Sequence, residues 1–288
     1  GDLTYQTAMI EELEAQGVNA VCVFSNGMPL EEMGMPSLTQ VFNSFFCTAD
    51  GVPAIDVLLN VMKFSMTTGG SINLDYLKKL NVPVLAAYTT IAPFEEWKDS
   101  FEGMNAMEVS ISVSLPEFDG IIHSCPVTTM ERDAEGKQVT QEIAERMNML
   151  VRKAKKLALL RIKPNAEKKI AIVFHNHPST NSNIGSCSAI DSIESVRLLL
   201  QDLRDAGYVV DHIPADRQEF IDELIAGATN DRDYMSEKQI DNADAKLLVS
   251  AYRDYYKTLP EKVQQRLAKD WGEAPGEVFF YDDFLLVP

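Results

Sequence analysis

Three groups of residues in this chain have types and spacings suited to chemistry. Glu117 and Asp119 lie two apart in the run Leu115-Pro116-Glu117-Phe118-Asp119-Gly120. Pro116 and Gly120 favour a turn that presents both carboxylates, and such a pair can accept a proton or hold an incoming cation. The plainer alternative is an ordinary Asp-Gly turn beside a solvated glutamate. His175 and His177 are also two apart, so in extended chain they point to one face, and His123 and Cys125 repeat that spacing. Imidazole and thiolate suit cobalt, nickel or zinc; the structural alternative for an H-x-H pair is hydrogen bonding at a strand end. The third group is the polar loop holding Asn176, Asn181, Asn183, Gly185 and Asp191. It precedes a helical pattern beginning at Ser192, whose N-terminal amides and dipole favour an anionic group. Capping by Asp191 and turn formation by the asparagines would explain the same residues without a ligand.

Helix and strand patterns alternate along the chain that must position these groups. Met9 and Leu13 sit four apart on a helix expected to end at Gly17. Val18–Ser25, Ala54–Met62 and Val82–Tyr88 read as buried strands, and Val109–Leu115 and Ile121–Val127 as two shorter ones. Continuous apolar strands separated by helical stretches predict a parallel sheet covered on both faces. A long helix from about Gln138 to Arg161 carries Ile143, Met147, Leu150, Ala154 and Leu157 on its apolar side.

The polar segment Ile162–Lys169 contains Pro164 and marks a boundary, so domains are expected over residues 1–163 and 170–288. The second begins with a strand at Ile170, then a helix Ser192–Ala206 closed by Gly207 and burying Ile193, Val196, Leu199, Leu200 and Leu203. Asp191 and Glu194 form a plausible capping pair for it. A strand Tyr208–Ile213 and a helix Arg217–Ala226 follow, then a polar stretch Gly227–Ala245 that reads as a mobile loop. Helices around Ala245–Lys257 and Glu261–Asp270 lead to a strand-like end, EVFFYDDFLLVP. The expected fold is α/β: two parallel-sheet lobes of Rossmann/flavodoxin-like type joined by the long helix, with the second lobe truncated. In such sheets ligands sit at the carboxyl ends of strands, which is where the Asn176–Asp191 loop would lie.

Composition narrows the function. The 288 residues are 45% hydrophobic and 24% charged, ordinary for a globular protein of one large or two smaller domains. A net charge of −17 argues against nucleic acid and anionic membranes as partners. No apolar run reaches the roughly 20 residues of a membrane span, and the first 17 residues read as an acidic amphipathic helix rather than a signal peptide. A cytoplasmic protein is expected. Cys22, Cys47, Cys125 and Cys187 show no C-x-x-C spacing, so free and mostly buried thiols are expected. The phosphate loop G-x-x-x-x-G-K-[ST] is missing; the single Gly-Lys step, Gly136-Lys137, is followed by Gln138. G-x-G-x-x-G and G-x-S-x-G are missing too.

Several motifs in order along the chain resemble one family, the large subunit of cobaltochelatase (CobN) and the H subunit of magnesium chelatase. They are Leu59-Asn60 through Phe64, Asn81-Val82-Pro83-Val84-Leu85, Trp97 with Gly103-Met104, and the Leu115–Gly120 turn. The polar loop supplies Asn176, Pro178, Asn181, Asn183, Ile184, Gly185, Ile190, Asp191 and Ser192, and Trp271-Gly272 with Pro275-Gly276 completes the set. Ser186 and Ser188 stand where the family more usually has Asn and Gly, and His177 where tyrosine is common.

The resemblance implies an internal fragment, inactive alone, of the tetrapyrrole-binding subunit of an ATP-dependent metal chelatase. Cobalt or magnesium would be the divalent metal substrate, and a corrin or porphyrin the acceptor. ATP would be used by separate AAA+ ATPase partner subunits. Glu117 would be the first choice as proton acceptor or metal guide, with Asp119 supporting it. The Asn176–Asp191 loop would line the ring or order a cleft between lobes. Two rival readings are a non-catalytic binding module in the manner of periplasmic binding proteins, and a scaffold that docks the ATPase subunits.

Overall fold

The apolar runs near residues 58 and 84 become neighbouring parallel strands in the computed structural model, which describes residues 3–25, 31–62, 64–67, 72–243 and 245–287. The chain divides into two compact units, Gly1–Lys163 and Pro164–Pro288. In the first, strands β1 (Leu58–Asn60), β2 (Val84–Thr90) and β3 (Ser124–Arg132) run parallel, and β4 (Gln138–Glu142) adds antiparallel to β3. Side chains alternate across a strand, so β2 feeds two cores. Leu85 and Ala87 pack with Met9 and Leu13 of α1 (Thr4–Ala15) and with Met147, Leu150, Val151 and Ala154 of α2 (Ala144–Ile162). Ala86 faces the other way, against Leu38, Phe42, Ile72, Leu77, Leu80 and Ile121. The protein is thus α/β, with a mostly parallel four-stranded sheet covered on both faces.

Four expectations for this unit need correction. Val18–Ser25 joins no ladder among the described residues; Val18 and Ala20 lean on the core, while Val21 and Phe24 stay exposed. Covered from one side only, the segment packs as extended chain. The stretch Val109–Leu115 is helical, as Ala106–Val109, Ser110–Ser114 and Leu115–Glu117. Its Val-Ser-Ile-Ser-Val alternation mimics a strand, but the residues it buries are Glu108, Ser112 and Pro116, four apart on one helical face. Because two of the three are polar, an apolar-period reading misses them. The long helix begins at Ala144: the five residues before Ile143 pair as β4 after a turn in which Asp133 Oδ1 accepts from the Lys137 amide at 2.9 Å. Finally, α2 is no connecting rod, since its buried side chains complete the first unit's core.

Among the described residues of the second unit the expected parallel sheet is not formed. Residues 170–174 and 208–213 run extended outside any ladder, with Val173 90% and Val209 67% exposed. Two short parallel segments bury little on their own, and parallel pairing depends on cover over both faces. The sheet present is antiparallel, ordered β5 (Lys246–Leu248), β7 (Phe284–Leu286), β6 (Phe280–Tyr281). Helices α3 (Ser192–Asp205), α4 (Arg217–Ala226), α5 (Glu237–Asp241), α6 (Val249–Thr258) and α7 (Glu261–Trp271) accompany it. Of the five residues expected to be buried on α3 only Ile193 is fully so, and Leu199 is exposed. The stretch 227–245 is no simple loop: it contains α5 and the buried Thr229 and Asp231. No helix among the described residues is long and apolar enough to cross a membrane. All four cysteines are free, but only Cys125 is buried; Cys22 and Cys187 are exposed.

Candidate functional site

In the first unit the turn after Glu117 separates the two carboxylates instead of converging them. The Asp119 and Gly120 amides donate to Pro116 O and Glu117 O, both at 2.9 Å, and Gly120 takes a φ of +81° that suits glycine. Glu117 is left exposed, while Asp119 turns inward to 4% exposure. Asp119 Oδ1 accepts from Ser65 Oγ and Thr67 Oγ1, each at 2.6 Å, and from the Thr67 amide at 3.1 Å. Its Oδ2 accepts from the Met66 amide at 2.6 Å. A carboxylate this fully engaged works as a clasp on residues 65–67. Glu117 is the one with its carboxylate in solvent, where it can take a proton or meet a hydrated cation.

Further polar groups gather at the carboxyl ends of the strands, and sequence reasoning missed their roles. Asn60, last in β1, is 4% exposed; its Oδ1 accepts from the Met62 amide, and its buried Nδ2 has no partner. Just past β2, buried Glu108 accepts from Thr90 Oγ1 at 2.6 Å, the Ile91 amide at 2.9 Å and Asn105 Nδ2 at 3.0 Å. Burial first, then the Glu108 charge, pushes the Tyr88 hydroxyl up to about 12.

His123 and Cys125 do not act as a pair. His123 Nδ1 lies 3.0 Å from Lys153 Nζ, and burial followed by the Lys153 charge holds the imidazole below its ordinary value. Burial pushes the Cys125 thiol up, away from the thiolate a metal needs.

In the second unit the polar loop is tied to a segment that sequence reasoning left as mobile. Asn176 Nδ2 donates to Asn230 Oδ1, and Asn230 Nδ2 donates to Asn176 O at 3.1 Å. Asn181 accepts from Thr229 Oγ1 at 2.7 Å, and its amide donates to Asp231 Oδ2 at 2.8 Å. Asn183 Nδ2 donates to Pro178 O at 3.0 Å. The amide of Gly185 donates to His175 O at 2.8 Å, and its φ is +70°. A Cβ there would stand 2.8 Å from Ile193 Cδ1 and 2.9 Å from Ser192 Oγ, so a side chain would have to displace both at an unfavourable positive φ. Asp191 caps α3 by accepting from the Glu194 amide at 3.1 Å, and Arg217 Nε donates to its other oxygen at 3.0 Å. The capping is one-sided: the Glu194 side chain turns to Arg197 instead. Asn176, Asn181, Asn183, Gly185 and Asp191 therefore do come together, held by Thr229, Asn230, Asp231 and Arg217. The Thr-Asn-Asp run was the available signal, since such residues bond readily to nearby loops.

His175 and His177 are both exposed, with ring centroids 6.2 Å apart. Among the described residues neither belongs to a group of three His, Cys, Asp or Glu donors within 4.8 Å. One buried acceptor in the loop, Asn176 Oδ1, has no hydrogen-bond partner.

Comparison with known proteins bears on both units. The family model described as CobN/Magnesium Chelatase matches residues 1–288. An uncharacterized protein of Methanocaldococcus jannaschii is 34% identical over 297 residues, an alignment covering 100% of this chain and 24% of that protein. The aerobic cobaltochelatase subunit CobN of Pseudomonas aeruginosa is 29% identical over 213 residues, covering 72% of this chain and 17% of its own. The solved catalytic subunit of cobaltochelatase from Mycobacterium tuberculosis shares the fold with a TM-score of 0.74 at 24% identity, over 100% of this chain and 24% of that one. The chain thus spans about a quarter or less of the length of these relatives.

Proposed function

This chain belongs to the CobN/magnesium chelatase family, and from that premise we propose that it is part of the tetrapyrrole-binding large subunit of a metal chelatase. The reaction is insertion of cobalt or magnesium into a corrin or porphyrin ring, driven by ATP hydrolysis on separate AAA+ subunits. The observation that carries this reading is the family match along residues 1–288.

Insertion requires two pyrrole N–H protons to leave and the metal to shed water. Glu117, exposed on a rigid turn, accepts a proton from the ring or hands over the cation. Asp119 acts as a positioning residue through its hold on residues 65–67. The Asn176–Asp191 loop lines the polar edge of the ring, next to the N-terminus of α3 that Asp191 caps. His175 and His177, both exposed beside that loop, would offer imidazole nitrogens to the incoming metal.

A fluorescence-quenching titration tests this, with Trp97 and Trp271 as reporters and a metal-free corrin and a metal-free porphyrin as ligands. Saturable quenching weakened by Asn183→Ala is expected, and the tighter ligand names the ring class. Quenching by neither ligand would move the ring site out of this chain. A second reading, a scaffold that docks the ATPase subunits, draws support from Asn176 Nδ2, which donates to Asn230, and Asn181 Oδ1, which accepts from Thr229. It predicts partner binding without ring binding.

A further inference from the structure

Away from both loops, three metal-ligating side chains converge on the surface of the second unit. His212 lies in the extended stretch before α4, and Glu219 and Glu223 stand one turn apart on that helix. One ligand atom from each, an imidazole nitrogen and two carboxylate oxygens, all lie within 4.8 Å of one another. His212 Nε2 is 2.7 Å from Glu223 Oε1. Glu219 is anchored by one oxygen, Oε2, which accepts from the Ala215 amide at 2.5 Å.

The charge balance of this group is incomplete. Like charges four apart on a helix repel, yet among the described residues no lysine or arginine forms an ion pair with Glu219 or Glu223. Glu219 is met by the Ala215 amide and Glu223 by an imidazole, which is also a metal ligand. A bound divalent ion would neutralise both carboxylates and take over the bond that His212 now makes to Glu223. Metal–ligand bonds of about 2.0–2.2 Å bring neighbouring ligand atoms to roughly 3 Å, so closing the group needs side-chain rotation alone.

We propose that His212, Glu219 and Glu223 bind one divalent ion of the cobalt, nickel or zinc class. The imidazole sets the preference, because magnesium takes oxygen ligands and keeps its waters. Three protein ligands leave positions open for water, which suits an ion held for release. As a loading station for the metal substrate the site rests on the chelatase reading; as a metal site it stands by itself.

The test is a titration of the tag-free 288-residue chain with cobalt(II) alone, and separately with magnesium(II), by calorimetry and visible absorption. One cobalt per chain is expected, weakened about tenfold or more by His212→Ala and by Glu223→Gln, with far weaker magnesium binding. Circular dichroism of each variant reports whether it is folded. Absence of saturable cobalt binding, undiminished binding in both folded variants, or equal affinity for magnesium would each overturn the proposal. Ring quenching read on the same samples separates the two ideas. Cobalt binding without ring binding would count against ring binding by this chain alone, and the reverse against this site alone.

Discussion

Ser65 Oγ donates a 2.6 Å hydrogen bond to Asp119 Oδ1 across 54 positions of sequence, and both residues are buried. With the bonds from Met66 and Thr67, that contact locks the turn bearing Glu117 to the segment that follows β1. It also divides the two carboxylates into one that holds the fold together and one that faces solvent.

Asp119→Ala should destabilise the first unit by about 3 kcal/mol, because buried amides and hydroxyls lose their acceptor. Asp119→Asn, which keeps the shape and one oxygen, should cost less. Urea unfolding of the two variants measures the difference, and equal, negligible losses would rule out the clasp.

Glu117→Gln should leave the unfolding midpoint within about 0.5 kcal/mol of the parent, as exposed substitutions do. In the complete enzyme the same change should sharply slow metal insertion while sparing ring binding. Normal insertion rates would remove Glu117 from the chemistry.

Gly185→Ala should cost about 1–3 kcal/mol, combining a positive φ with a Cβ driven into Ile193 and Ser192. Amide hydrogen exchange should rise through residues 175–192 and 229–231 together, since the two segments are hydrogen-bonded to each other. Exchange confined to Gly185 itself would argue against that coupling.

The imidazole of His123 is held below its unfolded value of 6.5 by burial and by Lys153, so the folded state favours the neutral ring. Its contribution to stability is present above that value and is lost as pH falls below it toward the folded pKa. The thermal midpoint should therefore drop as pH falls below 6.5, and drop less in His123→Gln. Lys153→Met should shift the His123 ring resonances to titrate at higher pH.

Cys22 and Cys187, both exposed, should alkylate quickly in the folded protein, and buried Cys125 only after denaturation. Peptide mass spectrometry after a brief pulse of iodoacetamide reads the order directly.

Much of this was legible in the chain itself. The runs around Leu58–Asn60 and Val84–Thr90, the glycine end of α1, the span of α4 and the capping of α3 by Asp191 all follow from local pattern and stereochemistry. So do the four core residues Ile143, Met147, Leu150 and Ala154, since a 3.6-residue period states which face of a helix must leave water. The ordered motifs from Leu59 to Gly276 were enough to name the family.

Tertiary structure alone decided the rest. Val109–Leu115 alternates like a strand yet coils, within a helical run whose buried face includes Glu108, a group satisfied by distant Thr90. The fate of Asp119 depended on Ser65 and Thr67, and that of Asn176 and Asn181 on Thr229 and Asn230. Local pattern records which side chains must be buried. Which polar groups are then spent on the fold, and which stay free for chemistry, depends on donors and acceptors that meet only once the chain has closed on itself.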